Sequence, residues 1–183
     1  MKSILISIQP QWVEKILNGE KTIEIRKTMP KCELPVKVYI YCTKGKYKIF
    51  NTFHGIEHKG IHTGYLLNGK VVAEFTLKEV EDFSKWEYDF GALVRHLDLW
   101  AGTRGNYPFL IDYLKRQKKG YAWHIDDLVV YDKPKELSEF YTLKKCNSCA
   151  SGYESSGCRY DEDCKIPVQV TRPPQSWCYV EEV

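Results

Sequence analysis

Apolar and polar positions alternate from the first residues of the chain. In SILISIQ (Ser3 to Gln9), Ile4, Ile6 and Ile8 fall on one face and Leu5, Ser7 and Gln9 on the other, which predicts a strand. Pro10 suits the first turn of a helix. Trp12, Val13, Ile16 and Leu17 then form a stripe of helical spacing that Gly19 terminates. KTIEIRK follows as a short strand with Ile23 and Ile25 on one face. VKVYIYCT (36–43) and KVVAEFTL (70–77) are rich in β-branched and aromatic residues and read as two more strands. The Gly-, His- and Lys-rich stretch between them reads as a loop. FGALVRHLDLW (90–100) and YPFLIDYLKRQ (107–117) read as helices, YAWHIDDLVVYDKP (121–134) as one strand, and QSWCYVEE as a closing strand. The count is five to six strands with two to three helices, and the strands are split between both ends of the chain. This predicts an α+β, mainly β fold: a small closed or nearly closed β-barrel with helices at its rim, since closure removes exposed sheet edges.

Composition narrows the class. A length of 183 residues fits one domain with a small appendage, and 43% hydrophobic residues suffice for a core. No long uncharged apolar stretch occurs, so no membrane span is expected. The first apolar run is too short for a secretory leader and ends at Pro10, so a cytoplasmic location is expected. In that reducing setting the seven cysteines read as metal ligands or core residues rather than disulfides. The net charge of +3 singles out no partner, but its distribution does more. Residues 21–48 hold eight Lys/Arg against two Glu, and KRQKK (115–119) contains no acid. Basic runs interleaved with Tyr or Pro suit phosphate contacts, and equally a solvated face.

On a strand, Glu24 and Arg26 share a face about 7 Å apart, with Lys21 at the strand's mouth. As surface charges they would contribute at most ~1 kcal/mol. Alternatively, Glu24 holds Arg26 so that its remaining donors aim at a phosphate or base edge. The spacing Gly19-x-Lys21-x-x-Glu24-x-Arg26, with the helix before it and VKVYIYCT and GKVVAEF after it, resembles the G-x-K-x-x-E-x-R signature of the ASCH family. These are the activating-signal-cointegrator homology domains of the PUA-like superfamily of small β-barrels. GYAWHIDDLVVYDKPKEL and RPPQSWCYV are similar to segments of phage and prophage members, so the resemblance covers most of residues 1–143 and 170–181. It implies a cleft at one end of a barrel, lined by the signature residues and taking RNA or a modified nucleotide. In that role Lys21 and Arg26 contact phosphate or ribose, and Glu24 orients Arg26 or accepts from a base amino group. One branch is similar to bacterial acetylcytidine amidohydrolases, in which Lys, Thr and Glu carry hydrolysis. Lys21 matches that Lys, but Glu24 stands where the Thr falls, and a carboxylate cannot replace an activated hydroxyl as acyl acceptor. Thr22 lies one strand step away, and Glu74 is the candidate second carboxylate. Binding therefore ranks above hydrolysis of a nucleoside amide or of RNA. A third reading is a phage-encoded module that binds a host protein.

Other residues extend the candidate site. Trp123 and His124 are adjacent on a strand and face opposite ways, one toward the core and one toward the cleft, where an aromatic would stack on a base. Gln9, at the end of the first strand, is a further cleft candidate or a turn residue. His54, His58 and His62 are four apart, but Gly55 and Gly60 argue for a loop with incidental histidines. The strongest local signal is Cys146-x2-Cys149-x8-Cys158-x5-Cys164 within a polar, Gly/Ser-rich segment. Such a segment cannot order itself by hydrophobic burial, so a structural Zn²⁺ held by four thiolates would supply its folding energy. The domain reading is a barrel of residues 1–143 plus 168–183, with an inserted zinc knuckle at 144–167. Cys32, Cys42 and Cys178 read as small core residues.

Overall fold

A computed structural model describes residues 2–52, 55–58, 64–82, 120–146 and 164–182. The expected helices at 90–100 and 107–117, the basic run at 115–119, and His54, His62, Cys149 and Cys158 lie outside the described residues. Thirteen strands and one α-helix are present within them. The chain begins with β1 (Ser3–Ile8), α1 (Pro10–Leu17), β2 (Ile23–Arg26) and β3 (Val36–Cys42). Three short strands follow, β4 (Phe50–Thr52), β5 (Gly55–Glu57) and β6 (Tyr65–Leu66), then β7 (Val71–Leu77) and β8 (Val80–Asp82). The remainder is β9 (Tyr121–His124), β10 (Asp126–Lys135), β11 (Phe140–Lys145), β12 (Lys165–Gln169) and β13 (Trp177–Glu182).

Seven strands form one sheet in the order β10-β7-β3-β1-β13-β11-β12. Its centre is β1, parallel to β3 and antiparallel to β13, with all six residues buried. Ile4, Ile6 and Ile8 join Val38, Ile40, Phe75 and the Val13 and Ile16 stripe of α1 in the larger core. Leu5 packs on the other face with Tyr39, Tyr41 and Phe140. A central strand covered on both sides is apolar on both, which explains Leu5. Two three-stranded sheets, β2-β9-β8 and β5-β4-β6, are also present among the described residues.

This corrects the barrel expectation: the sheets are open, and no closed barrel is present among the described residues. The edges are managed without closure. Both edge strands, β10 and β12, carry a proline (Pro134 and Pro167), which removes a pairing donor. Asn51 Nδ2 also donates to the Tyr131 and Asp132 carbonyls of β10, at 3.3 and 3.4 Å. The expected strand 121–134 is two strands. They part at Ile125, beside Asp127 with its positive φ of 48°, and join different sheets. The expected loop at 44–69 holds β4–β6, anchored by Asn68, whose side chain accepts from Ile49 N and donates to the Tyr47 carbonyl. β11 and β12 pair as a hairpin from Tyr141↔Gln169 to Lys145↔Lys165, so the sheet extends into the ends of the span assigned to the knuckle. No described helix is long and apolar enough to cross a membrane.

Candidate functional site

The end of α1 and strand β2 build the site. Gly19, at φ 74°, reverses the chain, a backbone conformation that glycine adopts without steric cost. Lys21 N then donates to the Lys15 carbonyl at 3.1 Å, which folds Lys21 back beneath α1, its ammonium 5.9 Å from the Trp12 ring centroid. β2 pairs antiparallel with β9 in the register Ile23↔His124, Glu24↔Trp123, Ile25↔Ala122 and Arg26↔Tyr121. Residues directly opposite share a face. Glu24, Arg26, Trp123 and Tyr121 therefore lie on one side, and Ile23, Ile25 and His124 on the other.

The face that carries the charges is buried. Lys21 is 4% exposed, and Glu24 and Arg26 are each 8% exposed. Glu24 bridges the two cations, with Lys21 Nζ 3.2 Å from Oε2 and Arg26 Nη2 3.0 Å from Oε1. Lys21 Nζ also donates to the Ile23 carbonyl, and Arg26 Nη2 donates to the Ser7 carbonyl at 2.8 Å. Among the described residues, two cations meet one carboxylate in this cluster. Burial pushes the Lys21 ammonium below its ordinary value of 10.5; Glu24 opposes that shift, and Arg26 and Lys15 add to it.

Two donors in this buried region find no acceptor among the described residues: Arg26 Nε and Trp123 Nε1. Both belong to side chains on the Glu24 face. Trp123 is fully buried in the core cluster, with its ring 5.7 Å from that of Trp177. Buried polar groups are almost always satisfied, so these two donors stand out on the face that carries the charged cluster.

The other candidates are dispersed. His124 is half-buried on the far face of β9, with Nε2 2.9 Å from Glu81 Oε1. The exposed Gln9 starts α1 with its backbone carbonyl, and its side chain accepts from Gln11 Nε2 at 2.7 Å. Glu74 pairs with Lys37 at 2.8 Å and accepts from Tyr131 Oη at 2.6 Å. It alternates with Ala73 and Phe75 of the larger core, so it projects from the opposite face of the seven-stranded sheet and is separated from Lys21. Thr22 is exposed. Cys42 is fully buried, and Cys32 and Cys178 are half-buried. Sequence reasoning missed Ser7, whose carbonyl holds Arg26, and Trp177, which packs on Trp123. The second had a signal: an aromatic at the start of a strand pairing beside β1.

Comparison with known proteins agrees with this architecture. No curated protein matches the chain. The chain is similar to the crystal structure of ASCH from Zymomonas mobilis, with a TM-score of 0.56 at 17% identity, covering 98% of this chain and 87% of that one. A tyrosine-to-phenylalanine variant of that protein superposes with a TM-score of 0.53 at 16% identity, covering 99% of this chain and 91% of the other. At such identity the likeness concerns the fold. The ASCH domain model matches residues 6–147, which include the second half of β1, the signature strand β2 and the β9 strand that pairs with it; the chain belongs to the ASCH domain family.

Proposed function

We propose that the protein binds RNA or a modified nucleotide through the Lys21–Glu24–Arg26 cluster. The observation that carries this reading is the buried Lys21–Glu24–Arg26 cluster with two unmatched donors, Arg26 Nε and Trp123 Nε1, on the same face of the β2–β9 pair. A base edge or phosphate supplies the missing acceptors. Glu24 holds Arg26 in one orientation, so the ligand meets a donor set that is already positioned. The role of Trp123 changes from the expected one: buried in the core, it offers its indole N–H rather than an open ring for stacking. The test is mass spectrometry of nucleotide or RNA copurifying with the wild-type chain, repeated with Arg26→Lys, which keeps the charge and loses Nε–H. A charge-assisted hydrogen bond of about 1.5–3 kcal/mol makes the expected loss of affinity about ten- to a hundredfold. Copurification unchanged by Arg26→Lys contradicts the reading.

A hydrolytic reading has one observation in its favour. Burial lowers the Lys21 pKa, which moves an ammonium toward acid/base work near neutral pH. Both Glu24 oxygens are engaged by cations, and Glu74 is on another face, so binding stands first. Turnover of a nucleoside amide that disappears in Lys21→Arg would reverse that order.

We also infer a structural Zn²⁺ on Cys146, Cys149, Cys158 and Cys164. In support, Cys146 N donates to the Cys164 carbonyl at 3.0 Å just past the Lys145↔Lys165 pair of β11 and β12, so the first and last cysteines of the motif are neighbours. Metal analysis of the full chain is expected to find one zinc per chain, lost in Cys149→Ser/Cys158→Ser. A metal-free protein with four titratable thiols there overturns the assignment.

A further inference from the structure

The smaller core, on the face of the seven-stranded sheet away from Trp123, ends in a groove of about 670 Å³. That volume is within the usual range of small-ligand sites. Three chain segments wall it: the end of β3 and the residues after it, the turn from Glu136 to Ser138, and the link between β12 and β13.

Each wall is fixed by its own hydrogen bonds. Thr43 N donates to the Ile8 carbonyl at 2.9 Å. Gln169 Nε2 donates to the Ser138 carbonyl at 2.7 Å, and Val170 N to the Phe140 carbonyl at 2.8 Å. Ser7 Oγ holds the third wall by donating to the Pro174 carbonyl at 2.7 Å. The Lys70–Glu136 ion pair ties the start of β7 to the turn. The groove is therefore formed before a ligand enters, which spares the ligand the cost of ordering it.

The lining has one charge to offer. Glu136 is its single carboxylate, and that side chain already accepts from Lys70 Nζ and from Glu139 N. Lys44 has no ion-pair or hydrogen-bond partner among the described residues. Its stem lies along Gly69, where an added Cβ would come within 3.1 Å of Lys44 Cε and 3.3 Å of Cγ, so the missing side chain at 69 is what lets the lysine lie there. The hydroxyls of Tyr41, Thr43, Ser138 and Thr171 are likewise unmatched among the described residues. Burial pushes the Tyr41 hydroxyl above its ordinary value, so it stays protonated and able to donate. Leu137, Val170 and Pro173 supply carbon surface between these groups. Tyr41 is the single aromatic of the lining and is 3% exposed, so the groove offers a nucleobase no open ring to stack on.

We propose that this groove is a second binding site, separate from the β2 cluster, for a small polyol anion: a hydroxylated chain of sugar size carrying a phosphate or a carboxylate. The anionic head pairs with Lys44, the ligand hydroxyls exchange hydrogen bonds with the Tyr41, Thr43, Ser138 and Thr171 hydroxyls, and the carbon chain lies on Leu137, Val170 and Pro173.

The test is a titration of the ¹⁵N-labelled full chain with glucose 6-phosphate, gluconate and glucose, followed by amide shifts. Lys44→Gln and Tyr41→Phe are compared with wild type, and circular dichroism confirms that each is folded. At least one of the two anions should bind saturably and shift residues 41–44, 69–70, 136–138 and 170–171, and the stronger of the two identifies the head group. Glucose should bind far more weakly. Lys44→Gln removes a charge-assisted contact and should weaken the anion about ten- to a hundredfold. Tyr41→Phe removes a neutral one and should weaken it about two- to tenfold. Saturable binding of neither anion overturns the proposal. So does binding of glucose as tight as that of the anions, an affinity unchanged by Lys44→Gln, or shifts confined to Lys21, Glu24 and Arg26.

Discussion

Glu24→Gln is the sharpest perturbation of the buried cluster. Glu24 faces Lys21 Nζ at 3.2 Å and Arg26 Nη2 at 3.0 Å, and all three side chains are nearly excluded from water. At an effective dielectric of about 20, each contact supplies about 5 kcal/mol of gross attraction. Desolvation of the carboxylate and Lys–Arg repulsion offset much of this, and removing one partner of a buried ion pair costs about 3–5 kcal/mol. Glutamine keeps the shape, but one cation must then face an amide NH2, donor against donor. That loss is a large part of an ordinary stability of about 5–15 kcal/mol. The defect depends on pH. Glu24 is the group that most opposes the lowering of the Lys21 pKa, so its removal lowers that pKa further from 10.5. Between the folded value and 10.5 the unfolded chain binds the Lys21 proton more tightly, so stability from this group rises with pH. Urea unfolding of both proteins at neutral pH and at about pH 9.5, below the ordinary lysine value, should show a penalty that shrinks at the higher pH. A variant as stable as wild type at neutral pH, or a penalty that grows with pH, refutes the reasoning.

Other outcomes follow from single positions. Gly19→Ala meets no neighbour within 4 Å but must hold φ 74°, so it should cost about 1–2 kcal/mol in urea or thermal unfolding, from strain alone. Burial pushes the Cys42 thiol up to about 12, so it should resist iodoacetamide at neutral pH in the folded protein and react only on unfolding. The same shift makes Cys42 a source of alkaline instability. The unfolded thiol ionises from about 9 while the native one stays neutral, so stability is lost as pH rises from there toward 12, and Cys42→Ala should flatten that decline.

Local pattern made β1, α1, β2, β3 and β7 legible, because each keeps one period and one set of stop signals. Gly19 ended α1 where a left-handed residue was needed. The division at Ile125 was not legible. YAWHIDDLVVYDKP keeps strand-like composition throughout, and its halves are separated by partners distant in sequence, β2 and β8 for one and β7 for the other. β4–β6 were hidden because short strands in a polar loop depend on Asn68 and on each other rather than on their own residues. The shared face of Glu24 and Arg26 was visible from period two. Its burial was not, since the neighbours on that face, such as Trp123 opposite Glu24, come from the remote strand β9. Trp123 and His124 were correctly set on opposite faces, and only the β2–β9 register shows which of them joins the charged cluster.

The most direct measurement is the indole N–H spectrum of ¹⁵N-labelled protein titrated with single-stranded RNA, with Trp123 assigned by Trp123→Phe. If the ligand fills the acceptor position at the cluster, the Trp123 indole and Arg26 Nε–H resonances move together and saturate with binding. If RNA binds while both resonances stay fixed, the cluster is a structural ion network and the ligand lies elsewhere.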